Sequence, residues 1–167
     1  MIPFPNEQYN IIYADPPWTY KVWSKKGAGR TASSHYDALF MWATYPNLKE
    51  AFEVIDAWGF TYKTVAFTWT KTYNSGKLFV GMGYWTRANC EICLLATKGK
   101  PKRQSKSVPQ ALVHTINKHS KKPDVIRHRI EELMGDLPRI ELFARERTEG
   151  WDAWGNEVPD ECQYAFI

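Results

Sequence analysis

Asn10-Ile11-Ile12-Tyr13-Ala14-Asp15-Pro16-Pro17-Trp18 decides how this chain folds. Its first five residues are β-rich and its last four forbid their continuation. Proline has no N–H to give a neighbouring strand and disfavours helix in the residue before it. A strand over residues 10–14 therefore stops at Asp15, and residues 19–34, with Lys, Gly, Ser and Thr and no hydrophobic period, read as a loop.

Working outward, residues 38–44 form a second apolar strand. Pro46 then opens a helix on which Leu48, Ala51, Phe52, Ile55 and Trp58 recur at helical spacing, and Gly59 stops it. Residues 62–70 alternate and are rich in β-branched and aromatic types, a third strand. Residues 74–83 are a glycine-bearing loop, 91–97 a fourth and almost wholly apolar strand, and 98–110 a basic loop. Lys122-Pro123-Asp124 starts an amphipathic helix carrying Val125, Ile126, Ile130, Leu133 and Met134, ended by Gly135. Residues 139–144 are a last strand, and the tail after Val158 has no clear reading. Strands that alternate with helices and are apolar on both faces specify an α/β fold with a mostly parallel sheet flanked by helices.

The 167 residues, 44% apolar, suit one domain with one core, so a single domain over 1–167 is expected. The best apolar runs, such as 39–43 and 92–96, are far short of the roughly 18 residues of a membrane span, so no membrane association is expected. No secretory signal is visible, and three cysteines make no disulfide framework; a reducing cytoplasm is the expected setting. Cys90-x-x-Cys93 lacks a second pair or nearby histidines at ligand spacing, so no metal site is expected.

The net charge of +4 is modest, but its distribution is not. Lys21, Lys25, Lys26 and Arg30 lie between Asp15 and Asp37 without an acid among them. Residues 98–129 hold ten basic residues against Asp124 alone. Two basic segments on a net acidic remainder form a footprint for a polyanion, and Trp18, Tyr20, Trp23 and Tyr36 interleave with the first, as stacking on bases requires.

In open α/β sheets ligands sit beyond the carboxyl ends of the strands. Asp15 and the prolines would hold a carboxylate and one or two peptide carbonyls in a rigid arc beside a large ring. Such an arc fits a planar group bearing an NH₂, as adenine does. If Asp15 and the Pro16 carbonyl each accept one N–H, the amine nitrogen is drawn toward tetrahedral geometry and its lone pair becomes available, while Trp18 stacks on the base.

These residues resemble the MT-A70 adenine N6-methyltransferases, whose signature is Asp15-Pro16-Pro17-Trp18. The likeness continues through residues 39–44, 57–60, 69–72, 84–85, 91–99, 122–124, 140–145 and Trp154-Gly155-Asn156-Glu157, and covers about 9–158. It looks most like the compact bacterial and phage branch, without a separate target-recognition domain. The resemblance implies a Rossmann-like methyltransferase fold with the catalytic motif before the cofactor motif, and S-adenosylmethionine as methyl donor. It implies that Asp15, Pro16, Pro17 and Trp18 bind and polarise the target adenine. It assigns Lys122 to the cofactor's methionine carboxylate, Glu141, Phe143 and Arg145 to the cofactor strand, with Arg145 reaching ribose, and Asn156 and Glu157 to the cofactor's adenine.

Tyr20, Lys25, Lys26, Arg30, His35, Tyr36, Lys102 and Arg103 are the expected nucleic-acid contacts, with His35 and Tyr36 closing the loop over the base. Trp42 and Trp69 read as core or as support for the site. Three departures stand out. Tyr36 runs almost directly into the next strand, where the family has an extra helical segment; no Gly-x-Gly turn follows the last strand; and Thr148 stands where the family has a ribose-contacting asparagine. The expected reaction is methyl transfer to the N6 amine of adenine in DNA. RNA as substrate, or a non-catalytic nucleic-acid-binding partner, are the alternatives, and a homodimer is one way for so short a chain to achieve sequence choice.

Overall fold

The computed structural model describes residue 5 and residues 7–18, 36–83, 85–117 and 121–158. Tyr20, Lys25, Lys26, Arg30 and His35 lie outside the described residues. Among the described residues no helix is long and apolar enough to cross a membrane.

The elements follow in the order β1 (Ile11–Ala14), β2 (Ala38–Ala43), α1 (Leu48–Ala57), β3 (Thr61–Thr72), β4 (Cys90–Thr97), β5 (Ala111–Thr115), α2 (Val125–Met134), β6 (Arg139–Leu142) and β7 (Asp152–Trp154). They build one seven-stranded sheet in the order β5-β3-β4-β2-β1-β6-β7. β1 is central and pairs in parallel with β2 (Ile11 opposite Ala38) and with β6 (Ile11 opposite Arg139). β3 with β5 and β6 with β7 are also parallel. β4 alone is reversed, antiparallel to both β2 and β3. The mostly parallel α/β sheet expected from the sequence is thus the one found, Rossmann-like in its layers.

Both faces of the sheet are covered because successive strand side chains point to opposite sides. Ile12, Ala14, Leu39, Met41 and Ala43 face α1 and pack with Ala51 and Ile55. Ile11, Tyr13, Ala38, Phe40 and Trp42 face α2 and pack with Ile126, Ile130 and Met134. Every residue of β1 and β2 is buried. Pro46 sits in a short 3₁₀ turn that leads into α1, and Gly59, at φ 75°, releases the chain in a conformation that side chains disfavour. Phe52 departs from the expected apolar stripe. It turns outward against Tyr62, edge to face at 5.0 Å.

β5 and β7 were not evident in the sequence. Each is an edge strand of three to five residues, and Leu112 is the fully covered residue of β5. Strands of that kind form because a neighbour offers hydrogen bonds, and their own composition says little.

Strand direction corrects two expectations about nucleic-acid contacts. Tyr36 precedes β2 at the amino-terminal edge of the sheet, where it is buried and stacks on Tyr9 at 6.5 Å. It therefore supports the core at the edge opposite the end of β1, and does not close over Asp15. Lys102 and Arg103 follow the reversed strand β4, so they too emerge at that far edge. The next residue, Gln104, donates its backbone N–H to Leu133 in the last turn of α2. The ten residues of α2, about 1.5 Å of rise each, separate that point from Lys122.

Candidate active site

β1 ends in Ala14, and its successor Asp15 is held beside β6, with its backbone N–H directed at the Leu142 carbonyl (3.5 Å). The two prolines keep the chain from continuing as either strand or helix, and a tight turn follows in which the Trp18 N–H donates to the Pro16 carbonyl (2.9 Å). One Pro16 lone pair is thereby used and one remains to accept. The Trp18 indole N–H donates to the Trp42 carbonyl at the end of β2 (2.9 Å), which fixes the ring across two strand ends. Trp42 in turn donates its indole N–H to the Tyr13 hydroxyl inside the core (2.7 Å).

These residues form one side of a cleft of about 530 Å³ at the carboxyl edge of β1 and β2. Pockets of a few hundred Å³ suit small-molecule ligands. The opposite wall is built by two chain segments, one after β6 and one at the end of β7 and beyond, that contribute Phe143, Ala144, Arg145, Trp154, Gly155, Asn156 and Glu157. Phe143 adopts φ 60°, a left-handed conformation that costs a bulky side chain of order 1–3 kcal/mol. The turn leaves its ring edge-on to Trp154 at 6.2 Å and lets the Ala144 N–H donate to the Trp154 carbonyl (3.1 Å).

Gly155 is required where those segments meet. A Cβ added there would stand 2.1 Å from the Ala144 carbonyl oxygen and 2.7 Å from the Ala144 nitrogen, both backbone atoms that cannot swing away. Gly155→Ala is therefore expected to lower stability by ~1–3 kcal/mol in urea denaturation, as overpacking does. An unchanged midpoint would show that the wall is looser than this contact implies.

The floor is electrostatic. Lys122, just before α2, places its ammonium 3.0 Å from Asp15 Oδ2 and 3.0 Å from Glu91 Oε2. Glu91 is also bonded to Lys71, so charge alternates along Lys71, Glu91, Lys122 and Asp15. The Lys122 ammonium lies 5.5 Å from the Trp42 ring, and that of Lys71 4.9 Å from the Trp69 ring. Side-chain exposure runs from 10% at Lys122 to 24% at Asp15, so little water competes. Burial raises the Asp15 carboxyl above the ordinary value; Lys122 opposes this and the Glu91 charge adds to it. Burial works against Glu91 as a carboxylate too, but its two lysines outweigh it and hold the group below the usual range. For Lys122 the two carboxylates overcome the cost of burial and raise its pKa.

Of the residues proposed for chemistry and for the cofactor, Asp15, Pro16, Pro17, Trp18, Lys122, Phe143, Arg145, Asn156 and Glu157 line this one cleft. Glu141 does not. It points under the sheet edge and binds Arg127 of α2 through two hydrogen bonds (2.7 and 3.0 Å). Its position beside Tyr13 in the β1–β6 pairing turns it toward the α2 layer, so it anchors the helix that Lys122 leads into.

Glu91 and Lys71 were missed. Reversal of β4 brings its first residues, not its last, to the cleft edge, and the signal available was an acid heading an otherwise apolar run.

Known proteins are similar to this chain along most of its length. The MT-A70 family model matches residues 30–157. The chain is 33% identical over 194 residues to Type II methyltransferase M.MunI of Mycoplasma sp, covering 93% of this chain and 80% of that protein. It is 28% identical over 165 residues to a putative N(6)-adenosine-methyltransferase MT-A70-like protein of Medicago truncatula, and 27% identical over 176 residues to N6-methyladenosine RNA methyltransferase MTA1 of Cryphonectria parasitica. In each of these two, 90% of this chain is covered, which spans 26% of the plant protein and 52% of the fungal one.

Proposed function

Because this chain belongs to the MT-A70 family, we propose that its cleft methylates the N6 amine of adenine in DNA, with S-adenosylmethionine as donor. One observation carries the proposal: a fixed carboxylate, a carbonyl with a spare lone pair and an indole ring converge at the mouth of a cleft. The N6 lone pair of adenine is delocalised into the ring and is a poor nucleophile. Asp15 and Pro16 accept its two N–H bonds and pull the nitrogen out of conjugation, while Trp18 holds the base in place. This is positioning together with electrostatic preparation.

The donor set fits the cofactor. Lys122 offers a cation for a carboxylate, Arg145 reaches toward hydroxyls, Asn156 and Glu157 supply an amide and an acceptor for a base edge, and Phe143 with Trp154 gives an apolar flank. Bound S-adenosylmethionine supplies a methyl group on a sulfonium, electrophilic enough for direct transfer to a prepared amine. DNA is favoured over RNA because M.MunI, matched over most of its own length, is named as a Type II enzyme. In a duplex the base has to be flipped out, at a cost of a few kcal/mol. The test is transfer of labelled methyl groups to matched DNA and RNA oligonucleotides. N6-methyladenine in DNA is expected; label in RNA alone would refute the DNA assignment, and label in neither would refute the activity.

A pH dependence follows. Asp15 has to be ionised to accept N–H bonds, so kcat/KM falls as pH drops through its pKa, which burial holds above the ordinary value. Glu91→Gln removes a neighbouring negative charge, and the acid limb should move to lower pH. A limb that stays put or moves up would separate it from Asp15.

The far-edge placement of Lys102 and Arg103 makes a second prediction. Replacing both by Ala should leave kcat/KM on a short oligonucleotide within about twofold, the range of an exposed substitution away from the site. A steep loss would show that the substrate reaches around the sheet.

A further inference from the structure

Lys122 is shared between two carboxylates of different standing. Glu91 is 11% exposed and has a second cation, Lys71, fixed behind it. Asp15 is 24% exposed, stands at the mouth of the cleft, and has its Oδ2 on Lys122. The Lys122–Asp15 contact engages one of the two Asp15 oxygens that could accept from the amine of a target base, and holds an ammonium where that amine would approach. The same ammonium lines the cleft and is its most buried cation, since Arg145 is 43% exposed and lies near Glu157. An anion entering the cleft and the Asp15 carboxylate therefore compete for one lysine.

We propose that Lys122 is an exchangeable cover on Asp15. Without cofactor it closes the acceptor; with cofactor it turns toward the incoming carboxylate, pivoting on the Glu91–Lys71 pair, and leaves Asp15 open to the amine. This rests on the assignment of Lys122 to the cofactor carboxylate made above. It adds a consequence that the assignment alone does not contain: cofactor binds first, and the adenine pocket forms only then. Charge favours the exchange. Asp15 loses an ammonium, but the ligand brings its own α-ammonium into the same cleft, so the buried carboxylate is not left without a positive neighbour. Glu91 and Lys71 act as positioning residues: they keep the lysine within reach of both partners while touching neither ligand.

The test is calorimetric titration with S-adenosylhomocysteine, which carries the carboxylate and transfers nothing. Asp15→Asn relieves the competition and should bind it several-fold more tightly than wild type. Lys122→Met should weaken binding at least tenfold, and adding Asp15→Asn to Lys122→Met should restore nothing. If Lys122→Met binds normally, the assignment of Lys122 to the carboxylate fails. If Lys122→Met weakens binding but Asp15→Asn does not strengthen it, that assignment stands and the cover is refuted.

A second arm reads the pocket directly. A short single-stranded oligonucleotide with one adenine is compared with the same strand carrying purine, which lacks the amine. Wild type should prefer adenine only when S-adenosylhomocysteine is present, and Lys122→Met should prefer it without. An adenine preference in wild type that is the same with and without the cofactor product would overturn the proposal.

Discussion

Asp15→Asn is expected to cut methyl transfer by about 10²–10³-fold, the scale on which a prepared electrostatic contact at a reacting atom acts. The amide matches the carboxylate in shape, so the turn through Pro16 and Trp18 and the Asp15 N–H contact with Leu142 remain. What is lost is specific. Asn keeps one acceptor oxygen but has no charge, so its hold on the amine N–H weakens and the nitrogen is drawn less far out of conjugation. Burial around Asp15 makes the difference large, because a charged contact is screened less there than in open water. Single-turnover assay with labelled cofactor measures it, and turnover like that of wild type would end the proposed role.

Arg127→Met should produce a large loss of stability although it lies away from the cleft. Arg127 and Glu141 are 7% and 11% exposed at their side chains and joined by paired hydrogen bonds. Removing the guanidinium strands a carboxylate between α2 and β6, a situation that costs ~3–5 kcal/mol. Urea denaturation at neutral pH measures the loss. The deficit should shrink in acid. Glu141 already sits above the ordinary carboxyl value through burial, and losing Arg127 raises it further. A raised folded-state pKa contributes stability at low pH that is lost as pH climbs through it. The double variant Arg127→Met, Glu141→Leu should recover most of the loss, since an apolar pair of similar volume strands no charge. Failure to recover would mean that the pair does more than satisfy itself.

Much of the architecture is legible in the residues, for physical reasons. β1, β2 and most of β4 lie inside the sheet and are apolar on both faces, so composition alone marks them. Pro46, Gly59 and Gly135 punctuate the helices where the backbone demands it. The cleft's two walls were legible as well, because each follows a strand end. What the residues concealed depends on pairing. The edge strands β5 and β7 have too few covered side chains to show a period. The reversal of β4 is a fact of topology, and from it follow both the arrival of Glu91 at the cleft and the departure of Lys102 and Arg103 from it. Arg127 and Glu141 did carry a signal, a lone charge within each of two apolar stripes. Two such charges on adjacent elements imply each other, whereas one taken alone resembles a ligand contact.

The position of β1 has a consequence for synthesis. Its two neighbours are β2, made soon after it, and β6, which begins at Arg139. On the ribosome the first strand thus waits, one edge unpaired, until most of the chain has emerged. Pairings so distant in sequence close slowly, and an unpaired apolar edge invites other chains. The Asp15 wall and the Asn156 wall come from widely separated parts of the chain. A growing chain therefore holds the Asp15 carboxylate long before it can hold a complete cleft.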